Sequence, residues 1–361
     1  MAHYATILPL LLLLHFLLQM PAMGSATSTK VPAIIVFGDS SVDTGNNNQI
    51  STIAKSNFEP YGRDFIGGKP TGRFCNGRVA TDFISQALGL NPAIPAYLDP
   101  SITIRDSAQG VCFASAATGF DNATSDVLNV IPLWKQLEYF KEYQRKLRGY
   151  LGVEAAETRL REAVYIISLG TNDFVENYYN RYARDGGRAR EYSIGAYQDF
   201  LIGIAEGFTR QLYEAGGRKI SLGGIPPMGC MPLERSTNLA DGGACIEEYN
   251  RVARQFNAKL RALAARLRSS PQLPGILTVF TNVYDTVLQA IEKPSQFGFE
   301  NVAEGCCATG MFEMGYLCNR LNPFTCTDAN KYVFWDSFHP TQRMHEIVAA
   351  HAMNTSLAEF L

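Results

Sequence analysis

Ser40 stands in Phe37-Gly38-Asp39-Ser40, just past an apolar run from Val31 to Phe37. A serine hydroxyl is a poor nucleophile at neutral pH and needs a base beside it. Outside the N-terminal leader the histidines are His339, His345 and His351. His339 lies in Asp336-Ser337-Phe338-His339-Pro340, three residues after a carboxylate. A carboxylate so placed can fix the imidazole tautomer and stabilise the imidazolium. Asn172, in Gly170-Thr171-Asn172-Asp173, offers a side-chain N–H to a developing oxyanion, and a backbone N–H near Val111-Cys112-Phe113-Ala114-Ser115-Ala116 could join it. The chemistry these groups point to is acyl transfer. Each segment alone also reads as a turn or a helix cap. His345 and His351 read as exposed positions of a C-terminal helix, Thr341 to Leu357.

These groups have to be carried by rigid elements. Val31 to Phe37 is apolar on both faces, as in a central parallel strand covered by helices on both sides. Runs of the same type occur at Val111 to Ala114, Ala163 to Leu169, Lys219 to Ile225 and Ile276 to Thr281, each ending in Gly, Ser, Asn or Pro. Helical stripes lie between them. Val79, Phe83 and Ala87 share a face, with Gly89 as a stop. Tyr197, Leu201, Ile204, Phe208 and Leu212 form a second stripe before Gly216-Gly217. Tyr249, Val252, Phe256, Leu260, Leu263 and Leu267 form a third. The alternation predicts a three-layer α/β/α sandwich, flavodoxin-like, with a mainly parallel five-stranded sheet. In such sheets ligands bind beyond the carboxyl ends of the strands, where Ser40 and Asn172 fall. Gly67 to Gly77 and Asn177 to Ser193 read as long loops, and Gly305 to Cys326 as a stapled insertion.

With 361 residues, 46% hydrophobic and 18% charged, the chain can bury a large core. A net charge of −2 gives no electrostatic case for nucleic acid or an anionic membrane surface. Ile7 to Leu18 is apolar apart from His15 but too short for an integral anchor, and small residues follow at Ala22, Gly24, Ser25 and Ala26. Residues 1–26 therefore read as a signal peptide, and 27–361 as a single domain exported to the extracellular space or cell wall. All eight cysteines follow the leader, an even count suited to disulfides. The sequons at Asn122 and Asn354 are candidate glycosylation sites in the same compartment.

The segments together resemble the plant GDSL-type esterases and lipases of the SGNH hydrolase superfamily. Phe37 to Asn48 is similar to the first family block. Pro70-Thr71-Gly72-Arg73-Phe74-Cys75-Asn76-Gly77-Arg78 and Gly223-Gly224-Ile225-Pro226-Pro227-Met228-Gly229-Cys230 resemble further plant-family segments. Gly170 to Asp173 and Asp336 to Pro340 match the third and last blocks. The resemblance implies the SGNH fold, Ser40 as nucleophile and N–H donor, Asn172 as side-chain donor, His339 as base and Asp336 as its partner. It places the remaining oxyanion donor at Ala116, where the family usually has glycine. Cys75 and Cys112 replace commoner residues beside two site segments, and a Cys75–Cys112 bridge is expected. Cys230–Cys245 is expected too, with Cys306 and Cys307 each joined to Cys318 or Cys326 in either arrangement.

The expected substrate is a carboxylic ester, of a lipid or of acetylated wall polysaccharide such as xylan. A wall acyltransferase and an inactive wall-binding protein are the rival readings. Oligomeric state is not readable from the sequence. The chemistry calls for no metal or organic cofactor. The chain has no G-x-G-x-x-G after a strand and no P-loop, and no Gly-x-Ser-x-Gly elbow surrounds Ser40.

Overall fold

A computed structural model describes residues 31–179 and 187–361. The predicted leader and the centre of the loop from Asn177 to Ser193 lie outside the described residues. Five strands form the sheet: β1 Ile34–Gly38, β2 Gly110–Cys112, β3 Val164–Ser168, β4 Lys219–Gly223 and β5 Leu277–Thr281. Their order is β2-β1-β3-β4-β5, and every pairing is parallel. Ile35 lies opposite Val111 on one side and Tyr165 on the other, so β1 is central. It is buried along its whole length, which is why its sequence shows no polar alternation.

Helices cover both faces. α1 Ala80–Ala87, α2 Leu133–Leu151, α3 Ile194–Glu214, α4 Glu247–Arg268, α5 Tyr284–Glu292 and α6 Gln342–Asn354 are the main ones. Ile35, Phe37, Tyr165 and Ile167 face α2, α3 and α4 in one core. Phe37 stacks on Phe113 and meets the edges of Phe140 and Phe208, with ring centroids 5.2–5.6 Å apart. Truncating such a side chain to alanine typically costs about 3–5 kcal/mol. Ile34, Val36, Val164 and Ile166 face the other way, against Ile84 of α1 and Ala349 and Ala352 of α6. Period-two alternation thus splits each strand between two apolar layers. The result is the expected α/β/α sandwich.

The strand order reverses direction between β1 and β3, since β2 lies outside β1 and the later strands follow β3. The ends of β1 and β3 therefore flank the crevice at which open α/β sheets bind ligands. A second sheet, β6 Asn301–Gly305 with β7 Tyr332–Phe334, is also parallel. It anchors the loop that runs from Trp335 to Pro340. No apolar run announces β6, which reads Asn-Val-Ala-Glu-Gly.

The cysteines pair as Cys230–Cys245, Cys306–Cys326 and Cys307–Cys318. The expected Cys75–Cys112 bridge is not formed, and both thiols are free and buried. Cys112 lies on β2, in the layer with Ile34 and Val36, its sulfur 3.2 Å from the Val42 carbonyl. The Cys75 sulfur turns instead into its own loop, against Asn76, the Gly77 N–H and the Arg78 carbonyl. That loop is fixed by the buried ion pair of Arg73 and Asp82, which makes two contacts of 2.8 Å. Among the described residues no helix is long and apolar enough to cross a membrane.

Candidate active site

The turn after β1 is built by Asp39. Its N–H donates to the Ser168 carbonyl at the end of β3, and its own carbonyl accepts from the N–H groups of Val42 and Asp43. Its carboxylate accepts from the Ser41 N–H. Burial pushes the Asp39 carboxyl up to about 6, against the hydrogen bonds from Ser41. The Ser40 N–H of this tight turn has no acceptor among the described residues.

The Asp336 loop leaves β7 and returns to α6. It is closed at its base by a bridge between Phe334 and Pro340 and by the Thr341 N–H on the Val333 carbonyl. One Asp336 oxygen accepts the N–H groups of Phe338 and His339, at 2.9 and 2.7 Å. The same carboxylate receives His339 Nδ1 at 2.8 and 2.9 Å. This is the physical content of the Asp-x-x-His spacing. The aspartate folds its own loop and so delivers the ring to its own carboxylate. His339 Nε2 then lies 2.8 Å from Ser40 Oγ. With Nδ1 protonated towards Asp336, Nε2 is left as the acceptor for the serine hydroxyl.

Ser40, His339 and Asp336 are thus brought together, although Ser40 and His339 lie 299 residues apart. Asn172 follows β3 and is buried, and its amide donates to the Thr118 carbonyl at 3.0 Å. A primary amide has two N–H donors, so one remains for a ligand.

Ala116 does not keep the place expected of it. Its N–H donates to the Asp43 carboxylate at 3.0 Å and is thereby engaged. Asp43 also receives the Gly45 and Asn46 N–H groups. Asn46 in turn donates to the carbonyls of Cys112 and Ala114, and Asn47 to that of Ala116. The acidic and asparagine positions after Ser40 therefore serve to pin the loop after β2. The far end of that loop is held by Asp173, which accepts from the Phe120 and Asp121 N–H groups and the Thr124 hydroxyl. Burial lifts Asp43 to about 6 and Asp173 to about 7, with those donors opposing the rise. Between the two anchors, Ala117 sits at φ 67° with an N–H that has no acceptor among the described residues. Ala117 borders the same groove as Ser40 and His339.

The chain matches the family model of the GDSL-like lipases and acylhydrolases over residues 34–352. It is 61% identical over 350 residues to GDSL esterase/lipase At2g04570 of Arabidopsis thaliana, covering 96% of this chain and 98% of that relative. GDSL esterase/lipase At4g26790 of the same plant is 57% identical over 351 residues, covering 97% of each chain. This protein belongs to the GDSL esterase/lipase family. It is a carboxylic ester hydrolase, and its substrates are esters.

Within this family member, several residues of the site carry no signal in a single sequence. Tyr61 is fully buried, donates its hydroxyl to Asp336 at 2.7 Å and accepts the Gly315 N–H. It comes from a loop 275 residues before its partner. Phe74 packs its ring 4.8 Å from the His339 imidazole. Glu176 borders the groove, and burial, with Asp39 and Asp173 nearby, pushes its carboxyl up to about 8. His345 departs from the expected exposed position, while His351 is exposed. His345 shares the inward stripe of Ala349 and Ala352, a spacing that was available to reveal it. Burial, with His339 nearby, pulls its pKa down to about 3.

Proposed function

We propose that this protein is a secreted serine esterase that hydrolyses carboxylic esters through an acyl-enzyme on Ser40. The observation that carries the reading is the continuous relay from Ser40 Oγ to His339 Nε2, and from His339 Nδ1 to Asp336. Ser40 Oγ attacks the ester carbonyl and His339 takes its proton. The tetrahedral oxyanion is held by the N–H groups of Ser40 and Ala117 and by the Asn172 amide. His339 returns the proton to the departing alcohol, leaving an ester bond to Ser40. Water then attacks that ester, gives its proton to His339, and the acid leaves as the proton returns to Ser40. Asp336 keeps the ring oriented and balances the imidazolium throughout. Tyr61 positions Asp336.

Secretion is part of the same reading. Three disulfides suit an oxidising compartment, and residues 1–26 have the composition of a signal peptide ahead of a single hydrolase domain. Asn122 and Asn354 are exposed, as glycan acceptors must be.

The test is covalent. A fluorophosphonate should label the folded protein at Ser40, with ester hydrolysis lost in proportion to labelling. Ser40→Ala should abolish both while keeping the melting temperature. Labelling at another residue, or hydrolysis surviving in Ser40→Ala, would overturn the assignment.

A further inference from the structure

Ser40 and His339 stand between two cavities. On one side is the groove bordered by Phe74, Ala117, Glu176 and Leu317. Ile53, Tyr316 and Leu317 on its margin are largely exposed, so it opens to solvent. On the other side a cavity of about 130 Å³ runs inward beneath the carboxyl ends of β3, β4 and β5, towards α6. Its walls include Ile84 of α1, Ile166 of β3, Val287 of α5, Val348 and Ala352 of α6, and Leu357 beyond. Apart from Val348 these are buried, so this end of the cavity lies inside the fold, while Ser41, Ala80 and Pro226 on its other margin are partly exposed.

Well-packed proteins leave few interior voids of this size. Here the void ends at the reacting hydroxyl. Its wall hydroxyls are largely spent on one another. Ser221 and Thr281 bond at 2.7 Å, Thr281 also meets Ser356 at 2.8 Å, and Ser41 and Ser168 pair at 2.9 Å, which leaves the Thr81 hydroxyl without a partner among the described residues. His345, on the same wall, is neutral at physiological pH.

We infer that this inner cavity holds the acyl chain of the substrate, and that the preferred substrates are esters of straight medium-length fatty acids, of about six to eight carbons. The inference rests on the assignment of Ser40 as nucleophile. The order of the half-reactions decides which half of the ester goes inward. The acyl group stays on Ser40 while the alcohol departs and water arrives. The half that stays belongs in the interior, and the half that leaves belongs in the groove open to solvent. Volume sets the length. A dry cavity of about 150 Å³ holds one benzene, which has six carbons, so this one holds a chain of about that many. Acetyl groups leave it empty, and a palmitoyl chain overruns it.

The experiment is a p-nitrophenyl ester series from acetyl to palmitoyl on the full mature chain. Each buried methylene is worth about fourfold in kcat/KM. The profile should rise at least tenfold from acetyl to hexanoyl or octanoyl and fall by a similar factor at palmitoyl. Ala352→Phe fills the cavity and should lower the hexanoyl-to-acetyl ratio at least tenfold. Leu357→Ala lengthens it and should move the optimum to longer chains. Because each readout is a ratio within one preparation, a partly folded variant does not distort it, and the two variants test the same wall independently. A profile that peaks at acetyl or at palmitoyl, or a ratio untouched by both variants, overturns the inference. So does a series of alkyl acetates whose dependence on alcohol length, rather than acyl length, is abolished by Ala352→Phe. In all those cases fluorophosphonate labelling of Ser40 would persist. Its absence in the wild-type protein would instead remove the nucleophile assignment itself.

Discussion

One N–H of the Asn172 amide holds the Thr118 carbonyl, and in the proposed mechanism the other serves the oxyanion. Asn172→Ala should lower kcat about 100-fold or more with little change in KM, since a donor used in the transition state is worth roughly 3 kcal/mol. Steady-state kinetics on a short ester checks this, and an unchanged kcat would contradict it. His345 gives a prediction about pH. It is held neutral in the fold down to about pH 3, whereas an unfolded histidine gains its proton near 6.5. Below 6.5 the unfolded chain therefore binds more protons, and its share of stability is lost as pH falls, by about 1 kcal/mol per pH unit. His345→Leu should remove that dependence. Its melting temperature relative to the wild type should climb steadily from pH 7 to 4.5, and a constant offset would refute the point. That Ser40, His339 and Asp336 come together could be anticipated from the sequence, because few histidines follow residue 26 and one has an aspartate three residues before it. The proposed choice of Ala117 over Ala116 was not legible, since it requires knowing that Asp43, 73 residues earlier, takes the Ala116 N–H. Tyr61 was silent for the same reason, since its partner lies at the other end of the chain.

At the scale of elements, the end of β1 must lie close against β3. A Cβ on Gly38, whose φ is 157°, would come within 2.4 Å of the Ser168 carbonyl oxygen and 2.6 Å of Val42. Gln136 of α2 braces the same residue, accepting its N–H and donating to its carbonyl. Gly38→Ala should therefore cost about 1–3 kcal/mol of stability and displace the turn that carries Ser40. A lower urea midpoint together with reduced kcat is expected, and retention of both would show that the strand end can yield. The five main strands were readable from composition because a strand covered on both faces leaves an apolar run. β6 and β7 were not, because β6 is polar and partly exposed and β7 has just three residues. Yet they hold the Asp336 loop. The stripes of α3 and α4 fell within a few residues of their observed limits because their buried positions recur at helical spacing.

Across the whole molecule, two of the three cross-links lie in the insertion that meets the Asp336 loop. Cys306–Cys326 and Cys307–Cys318 tie this insertion, whose Glu313 carbonyl accepts the Ser337 N–H and whose Cys307 N–H donates to the Trp335 carbonyl, so covalent staples reach that loop through backbone hydrogen bonds. Cys75 and Cys112 stay outside that framework. A thiol reagent should count two thiols per chain in guanidinium without reductant and none in the native state, where burial raises both pKa values. Finding none in guanidinium would mean that the two are bridged after all. On the proposed acyl-enzyme mechanism, the placement of Ser40 between an inner cavity and an outer groove also bears on the second half-reaction. Once the first alcohol has left, the next acceptor comes in by the groove it vacated, and water and alcohols compete there for the same acyl group. The fate of that group then becomes a partition ratio, set by how well an alcohol fits among Phe74, Ala117 and Leu317 and unaffected by which alcohol left before.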